Sequence, residues 1–175
     1  RAADLRATRD GAGVLAGTPV KEIRLAVIVD RWGKPLGSLS AADWAALCLP
    51  AGQVGEVVVH GAHVSPGYLD AQGNAETKFR VEGETWHRTG DAGWLDEEGR
   101  LWLTGRCSAR INETGQAVYP LMVEAALAEW PQFARTALVS HHGQRLLVLE
   151  LKPGSRQPDL NALESALPWA GIDQI

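Results

Sequence analysis

The stretch of sequence that decides the fold is WHRTGD, Trp86-His87-Arg88-Thr89-Gly90-Asp91, which is followed further along by Gly105-Arg106. Thr-Gly-Asp is typical of a turn that presents a carboxylate at the end of a strand. A carboxylate accepts hydrogen bonds from two neighbouring hydroxyls, such as a ribose diol, and the planar guanidinium of Arg106 suits phosphate or ribose oxygens. Taken alone, these residues favour an ordinary aspartate-containing turn with an exposed arginine.

Tryptophans and glycines alternate around this stretch. Trp86, Trp94 and Trp102 lie in a segment punctuated by glycines, in which Asp96–Gly99 is the clearest turn. This spacing predicts short strands joined by tight turns. Large aromatic side chains at such positions are more often core anchors than walls of a ligand cage, so we predict that the three tryptophans lie in the core.

The residues before the motif predict two strands and a helix. Glu22–Val29 alternates as a half-buried strand does, and Gly55–His60 (GEVVVH) is a second strand. Ser40–Leu49 predicts a helix between them, because Ser40 can cap its first turn and a proline follows its end. Residues 1–20 are polar with little periodicity, and we predict a lead-in loop there.

The character of the sequence changes after Arg106. Pro120–Trp130 predicts a helix, since a proline in the first turn costs no hydrogen bond. Two strands are predicted next, over Ala134–Ser140 and Arg145–Lys152, and a last helix over Asp159–Leu167 has its leucines on one face.

These patterns predict an α+β fold with a domain boundary near residues 105–108. Residues 1–105 are expected to be the β-rich end of a large domain, and residues 106–175 an incomplete small α+β domain. The single methionine is Met122, so we expect a chain trimmed at both ends.

Composition limits the classes of function. The net charge of −4 argues against a nucleic-acid partner, because phosphate binding needs a basic surface. The two cysteines match no metal or redox spacing, and two free thiols without a signal sequence predict a reducing cytoplasm. The apolar runs are too short for a transmembrane segment.

Several familiar sites are not supported. Gly11–Gly17 superficially resembles a dinucleotide loop, but its third glycine is one position late and no strand precedes it. His60 and His63 have no obvious third metal ligand, and His141 and His142 would point to opposite faces of a strand. No serine lies in a nucleophile elbow. We therefore predict neither a catalytic residue nor a metal ligand within this chain.

Several motifs follow one another along the chain, and together they indicate more than each does alone. Gly55–Gly61 followed by Gly67-Tyr68 resembles one conserved segment of the adenylate-forming superfamily, which includes acyl-CoA synthetases, luciferases and peptide-synthetase adenylation domains. Trp86–Asp91 is similar to its next motif, and Gly105-Arg106 to the start of its hinge motif. The resemblance runs from about residue 17 to residue 152 and continues at these positions: Gly93, Trp94, Leu95, Asp96, Gly99, Gly115, Pro120 and Glu124.

The resemblance implies roles for individual residues. Asp91 is expected to bind the ribose hydroxyls of ATP and of the acyl-adenylate, and Arg106 to contact the same nucleotide. Ser108 occupies the hinge position, where the family usually has aspartate or lysine, and Asn112 replaces a familiar lysine. The family's phosphate loop and catalytic lysine would lie outside residues 1–175, so we expect this chain alone to be inactive.

The resemblance also suggests a branch of the superfamily. Trp86–Arg88, Leu101-Trp102, Gly105–Ile111 and Thr114-Gly115 are similar to olefin β-lactone synthetases, which activate a β-hydroxy acid with ATP and let its own hydroxyl displace AMP. Fatty acyl-AMP and acyl-CoA ligases are close competitors. The implied function is an AMP-forming, ATP-dependent ligase for a fatty or β-hydroxy fatty acid, with magnesium as cofactor and possible use of coenzyme A. The alternative is a non-catalytic truncated relative that binds a partner protein.

Overall fold

The computed structural model describes residues 2–112 and 116–175, and its mixture of helices and strands confirms the α+β fold class. The chain divides into two compact units. One is Ala16–Ser108, and the other joins the segment ending at Leu15 to Ala109–Ile175. The assignment of residues 1–105 and 106–175 to a large and a small mobile domain stays a prediction.

The unit Ala16–Ser108 is built on a mainly antiparallel sheet. Its central strands run in the order β7-β6-β4-β2, and β5 pairs with β6 on one side and parallel to β3 on the other. The strands are β2 (Arg24–Ile28), β3 (Ser38–Leu39), β4 (Gly55–His60), β5 (Lys78–Val81), β6 (Glu84–Leu95) and β7 (Leu101–Arg106). The strand predicted over Gly55–His60 is therefore confirmed, and the strand predicted over Glu22–Val29 is confirmed with shorter ends.

Helix α2 (Ala41–Leu47) packs on this sheet. The predicted cap is present, because the Ser40 hydroxyl accepts a hydrogen bond from the Asp43 amide and the Asp43 carboxylate accepts one from the Ser40 amide. The helix ends before Cys48, which has extended geometry and bridges to Ile28 of β2. This bridge makes the helix shorter than predicted.

Aromatic side chains anchor the core of this unit. Trp86 is buried beside Trp44 of α2, with 4.5 Å between ring centroids. Trp102 is buried and stacks on Trp94 at 5.6 Å. The prediction of core tryptophans is confirmed for Trp86 and Trp102, whereas Trp94 is partly exposed.

The second unit has its own core. Helix α4 (Pro120–Leu127) packs against the hairpin of β8 (Phe133–His141) and β9 (Gln144–Leu151), and α5 (Leu160–Ala166) follows. These elements confirm the predicted order of helix, strand, strand and helix. The buried side chains of this core include Val123, Leu127, Phe133, Leu138, Leu147, Leu163 and Leu167.

The lead-in loop predicted for residues 1–20 is wrong. The chain forms helix α1 (Ala2–Ala7), a wider helical turn and strand β1 (Val14–Gly17). Contacts distant in sequence stabilise this segment: Arg9 forms an ion pair with Glu129, and the indole of Trp169 donates to the Arg9 carbonyl. A short helix depends on such packing more than on its own propensity, and periodicity alone therefore missed it. No helix in the described ranges is long and apolar enough to cross a membrane.

A shorter helix, α3 (Asn74–Thr77), lies between β4 and β5 in the chain and begins after Gly73. Its length leaves it dependent on the sheet beside it.

Candidate functional site

The Thr89–Asp91 segment is a bulge inside a strand. On its two sides, Ala92 pairs with Glu56 and Arg88 with Val58, so Thr89–Asp91 lies opposite Val57 alone. The predicted turn at a strand's end is therefore wrong, because β6 resumes its pairing immediately after Asp91. Bulges redirect side chains without ending the sheet, and this one carries the Asp91 carboxylate.

The bulge is held by its own hydrogen bonds. The Thr89 hydroxyl donates to the Val57 carbonyl at 2.9 Å and accepts from the Asp91 amide at 3.0 Å. Gly90 has φ of +71°, a conformation that residues with a Cβ rarely adopt. The sequence Thr-Gly-Asp thus supplies a side-chain acceptor, a residue for the left-handed turn and a carboxylate in succession.

Arg106 contacts the carboxylate from the neighbouring strand. Asp91 and Arg106 are partners in the β6–β7 ladder, and Arg106 Nη1 lies 2.9 Å from Asp91 Oδ1. The same nitrogen donates to the Thr89 carbonyl at 3.2 Å. The side chains are 34% exposed for Asp91 and 67% for Arg106, so solvent reaches both charges. The pair offers a carboxylate acceptor and guanidinium donors to a polar ligand.

A buried ion pair lies at the base of the bulge. The Arg88 Nε donates to Glu56 Oε1 at 2.9 Å, and both side chains are fully buried. Burial raises the pKa of the Glu56 carboxyl, against the opposing effect of Arg88. Both residues lie within motifs quoted above, but their pairing could not be predicted from the sequence. The sequence signal was Glu56 beside the apolar run Val57–Val59, whereas Arg88 lies among the other polar residues of β6 and nothing local marks it as the partner.

Comparison with known proteins assigns the chain to a family. The chain is 33% identical to the olefin beta-lactone synthetase of Xanthomonas campestris pv. campestris over 94% of its own length, and 36% identical to that of Stenotrophomonas maltophilia over 92%. The solved amide bond synthetase McbA from Marinactinospora thermotolerans matches 91% of the chain with a TM-score of 0.67 and 26% identity. The chain belongs to the adenylate-forming superfamily. No family model matches it.

The chain spans less than a third of these relatives, 31% and 30% of the two synthetases and 31% of the amide bond synthetase. It matches the carboxyl-terminal part of the adenylate-forming fold. The predicted recognition of the superfamily is therefore confirmed, and so is its resemblance to olefin β-lactone synthetases.

The residues that resemble the start of the family's hinge motif, Gly105-Arg106, lie close in sequence to the end of the unit Ala16–Ser108. Ser108 lies in the short helical turn Cys107–Ala109 and is exposed. Its neighbour Cys107 is buried, and burial, helped by Asp30 and other acidic groups, raises the pKa of its thiol to about 12. The role of Ser108 as a hinge stays a prediction. Asn112 is exposed, whereas Thr114 and Gly115 lie outside the described residues.

Three of the four histidines considered as metal ligands, His60, His141 and His142, contact other groups. His60 Nδ1 lies 2.8 Å from the Thr85 carbonyl, and His141 and His142 contact each other at the tip of the β8–β9 hairpin. Among residues 2–112 and 116–175, no group of three or more histidine, cysteine, aspartate or glutamate residues could hold a metal ion.

Proposed function

We propose that this chain is part of an ATP-dependent ligase that converts a carboxylic acid to an acyl-adenylate and pyrophosphate. The observation that supports it most is the Asp91–Arg106 pair, carried by an in-strand bulge and open to solvent. In this proposal Asp91 accepts hydrogen bonds from the ribose hydroxyls of ATP. Arg106 contributes donors to the same nucleotide.

The energetics suit a ligand-binding role. An exposed ion pair contributes only about 0–1 kcal/mol to stability, so exchanging part of the Arg106 contact for a ligand costs the fold little. A hydrogen bond from a ribose hydroxyl to a carboxylate contributes about 1.5–3 kcal/mol. The hydrogen bond gained from a ribose hydroxyl therefore exceeds what the loosened Asp91–Arg106 ion pair costs the fold.

Magnesium has no fitting site in the part of the chain that the structure describes. No group of three or more acidic, histidine or cysteine residues there could hold a metal ion, and the Asp91 carboxylate already faces a guanidinium. We therefore assign ATP to Asp91 and Arg106 and assign magnesium to no residue of this chain. Ser108 is proposed as the pivot between the two units.

The proposed substrate is a long-chain β-hydroxy acid. Two relatives that match over most of this chain are named olefin beta-lactone synthetases, and this similarity supports the assignment. The carboxylate first attacks the α-phosphorus of ATP and releases pyrophosphate. The β-hydroxyl oxygen then attacks the acyl carbon, the bond from that carbon to the AMP oxygen breaks, and the hydroxyl proton is lost. The products are a β-lactone and AMP.

The direct experiment incubates the full-length protein with ATP and a long-chain β-hydroxy acid, with and without coenzyme A. We expect AMP release without coenzyme A and a product whose mass equals the acid minus one water. A thioester formed only with coenzyme A would replace the lactone assignment by an acyl-CoA ligase. Absence of AMP release with any carboxylic acid would favour the non-catalytic interaction module.

The 175-residue chain by itself is proposed to be inactive. Its lysines are Lys21, Lys34, Lys78 and Lys152, and none matches the sequence context of the family's catalytic lysine. We expect no ATP–pyrophosphate exchange by the purified chain, and measurable exchange would contradict this account of where the chemistry lies.

A further inference from the structure

The Glu56–Arg88 ion pair occupies a position that its contribution to stability does not explain. Both side chains are fully removed from water. Two buried charges lose their hydration, and apolar residues of similar volume often serve a protein as well or better. The location of the pair is informative, because Glu56 and Arg88 flank the Thr89–Asp91 bulge in the β4–β6 ladder.

Arg88 also reaches beyond Glu56. Its Nη1 donates to the Lys34 carbonyl at 2.7 Å, and its guanidinium lies over the Trp32 ring, 5.4 Å from the centroid. The Trp32 amide donates to Asp30 Oδ1 at 2.9 Å. Arg88 therefore connects the loop that carries Trp32 to the strand that carries the bulge.

Trp32 completes the connection by covering Gly90. A Cβ at Gly90 would lie 2.8 Å from the nearest atom of the Trp32 ring, so ring and glycine backbone are in close contact. The ring restricts the bulge on one side, and the hydrogen bond from the Thr89 hydroxyl to Val57 restricts it on the other. The shape of the bulge sets the direction of the Asp91 carboxylate.

We propose that Arg88, held by Glu56 and covered by Trp32, is a positioning residue that fixes the bulge in the shape presenting Asp91 to the nucleotide. This inference rests on the proposed ribose role of Asp91. Arg88 itself lies below the surface and acts on the ligand only through the bulge.

The first test measures the bulge without any ligand. The Asp91 amide donates to the Thr89 hydroxyl, so its hydrogen exchange in the 175-residue chain reports whether the bulge is intact. The double variant Glu56→Gln/Arg88→Met removes both charges together and avoids an unpaired buried charge. We expect its Asp91 amide to exchange at least about tenfold faster, while amides of β2 keep their rates.

Two further variants make this test decisive. Trp32→Leu removes only the ring that covers Gly90. Because Trp32 is 37% exposed, the fold should tolerate the change. This variant should accelerate exchange of the Asp91 amide even if the double variant fails to fold. Arg24→Met/Glu84→Gln removes an exposed arginine–glutamate pair from the same sheet and should leave Asp91 exchange unchanged. Unchanged Asp91 exchange in Trp32→Leu and in the folded double variant overturns the proposal.

The second test measures AMP affinity by calorimetry in the full-length protein. Glu56→Gln/Arg88→Met should weaken AMP binding about tenfold. The same double change should have little further effect when Asp91→Ala is already present, because both act through one carboxylate. Additive losses overturn positioning through Asp91. If Asp91→Ala alone leaves AMP affinity unchanged, the ribose role fails, and the exchange measurement still decides whether the pair shapes the bulge.

Discussion

Asp91 and Arg106 are direct partners across the β6–β7 ladder, with Arg106 Nη1 2.9 Å from Asp91 Oδ1 and 3.2 Å from the Thr89 carbonyl. One arginine nitrogen therefore contacts both ends of the bulge. Because both side chains reach solvent, the contact can be shared with a ligand. Its contribution to folding and its contribution to binding can therefore be measured separately.

Replacing Arg106 should affect binding much more than stability. Arg106→Gln removes an exposed ion pair, so the free energy of unfolding should change by no more than about 0.5 kcal/mol. Affinity of the full-length protein for AMP should fall about tenfold. The matched control is Arg135→Gln, which removes the exposed pair with Glu150 and should change neither quantity. Equal AMP affinities in the two variants would argue against a nucleotide contact by Arg106.

Gly90 should tolerate a side chain poorly for two separable reasons. Gly90 and Gly99 both have φ of +71°, but only at Gly90 would a Cβ meet the Trp32 ring. Gly99→Ala should therefore cost about 1 kcal/mol of unfolding free energy from backbone strain. Gly90→Ala should cost about 1–3 kcal/mol more from overpacking, measured by denaturant unfolding.

A second substitution checks the cause. In the Trp32→Leu background the excess cost of Gly90→Ala over Gly99→Ala should shrink, because the atoms that crowd the new Cβ are gone. An excess that persists would show that something other than Trp32 constrains Gly90.

Trypsin should cleave the chain near the division between its two units. Arg106 ends strand β7, whereas Arg110 is exposed and follows the turn at Cys107–Ala109. Strand pairing protects a backbone from proteases, so we expect the first internal cut after Arg110. Arg110→Gln should remove this cut and leave cleavage elsewhere unchanged. Cleavage confined to the chain ends in the unsubstituted protein would indicate that the segment is not a pivot.

Cys107 should be chemically inert in the folded protein. Burial, with nearby acidic groups, raises the pKa of its thiol to about 12, so its thiolate fraction at pH 8 is roughly a thousand times smaller than that of a free cysteine. In a Cys48→Ser variant, we expect a thiol reagent to modify Cys107 only as the chain unfolds. Rapid modification under native conditions would contradict its burial.

The same shift predicts a change of stability with pH. Between pH 9 and 12 the unfolded chain has lost the Cys107 proton and the folded chain keeps it, so stability falls as the pH rises. This fall should amount to at most about 1.4 kcal/mol per pH unit and should be absent from Cys107→Ala. Comparing the two unfolding curves cancels the other groups that titrate in this range.

The elements that the sequence predicted correctly depend on local signals. Ser40 and Asp43 satisfy each other within one helical turn, and GEVVVH matches β4 from Gly55 to His60. Residues 2–17 were missed because their structure depends on Glu129 and Trp169, which lie far along the chain. A local pattern cannot reveal a stabilising partner of that kind.

The candidate site, too, could be predicted from the sequence only in part. Its charged residues, Asp91 and Arg106, could be named from motifs, and the structure brings them together. The bulge could not be named, because it is defined by a register shift between two strands. The Glu56–Arg88 pair was missed for the same reason: its partners meet only after β4 and β6 align.

The central claim is that the Asp91 carboxylate binds the ribose diol, and one comparison tests it directly. AMP and 2′,3′-dideoxy-AMP differ only in the two hydroxyls, so their affinities for the full-length protein, measured by calorimetry, isolate that contact. The unsubstituted protein should bind AMP at least about tenfold more tightly than the dideoxy nucleotide, and so should the exposed-loop control Asp70→Ala. Asp91→Ala should bind the two nucleotides equally. If Asp91→Ala still prefers AMP as strongly as the unsubstituted protein does, the ribose contact lies elsewhere and the account is contradicted.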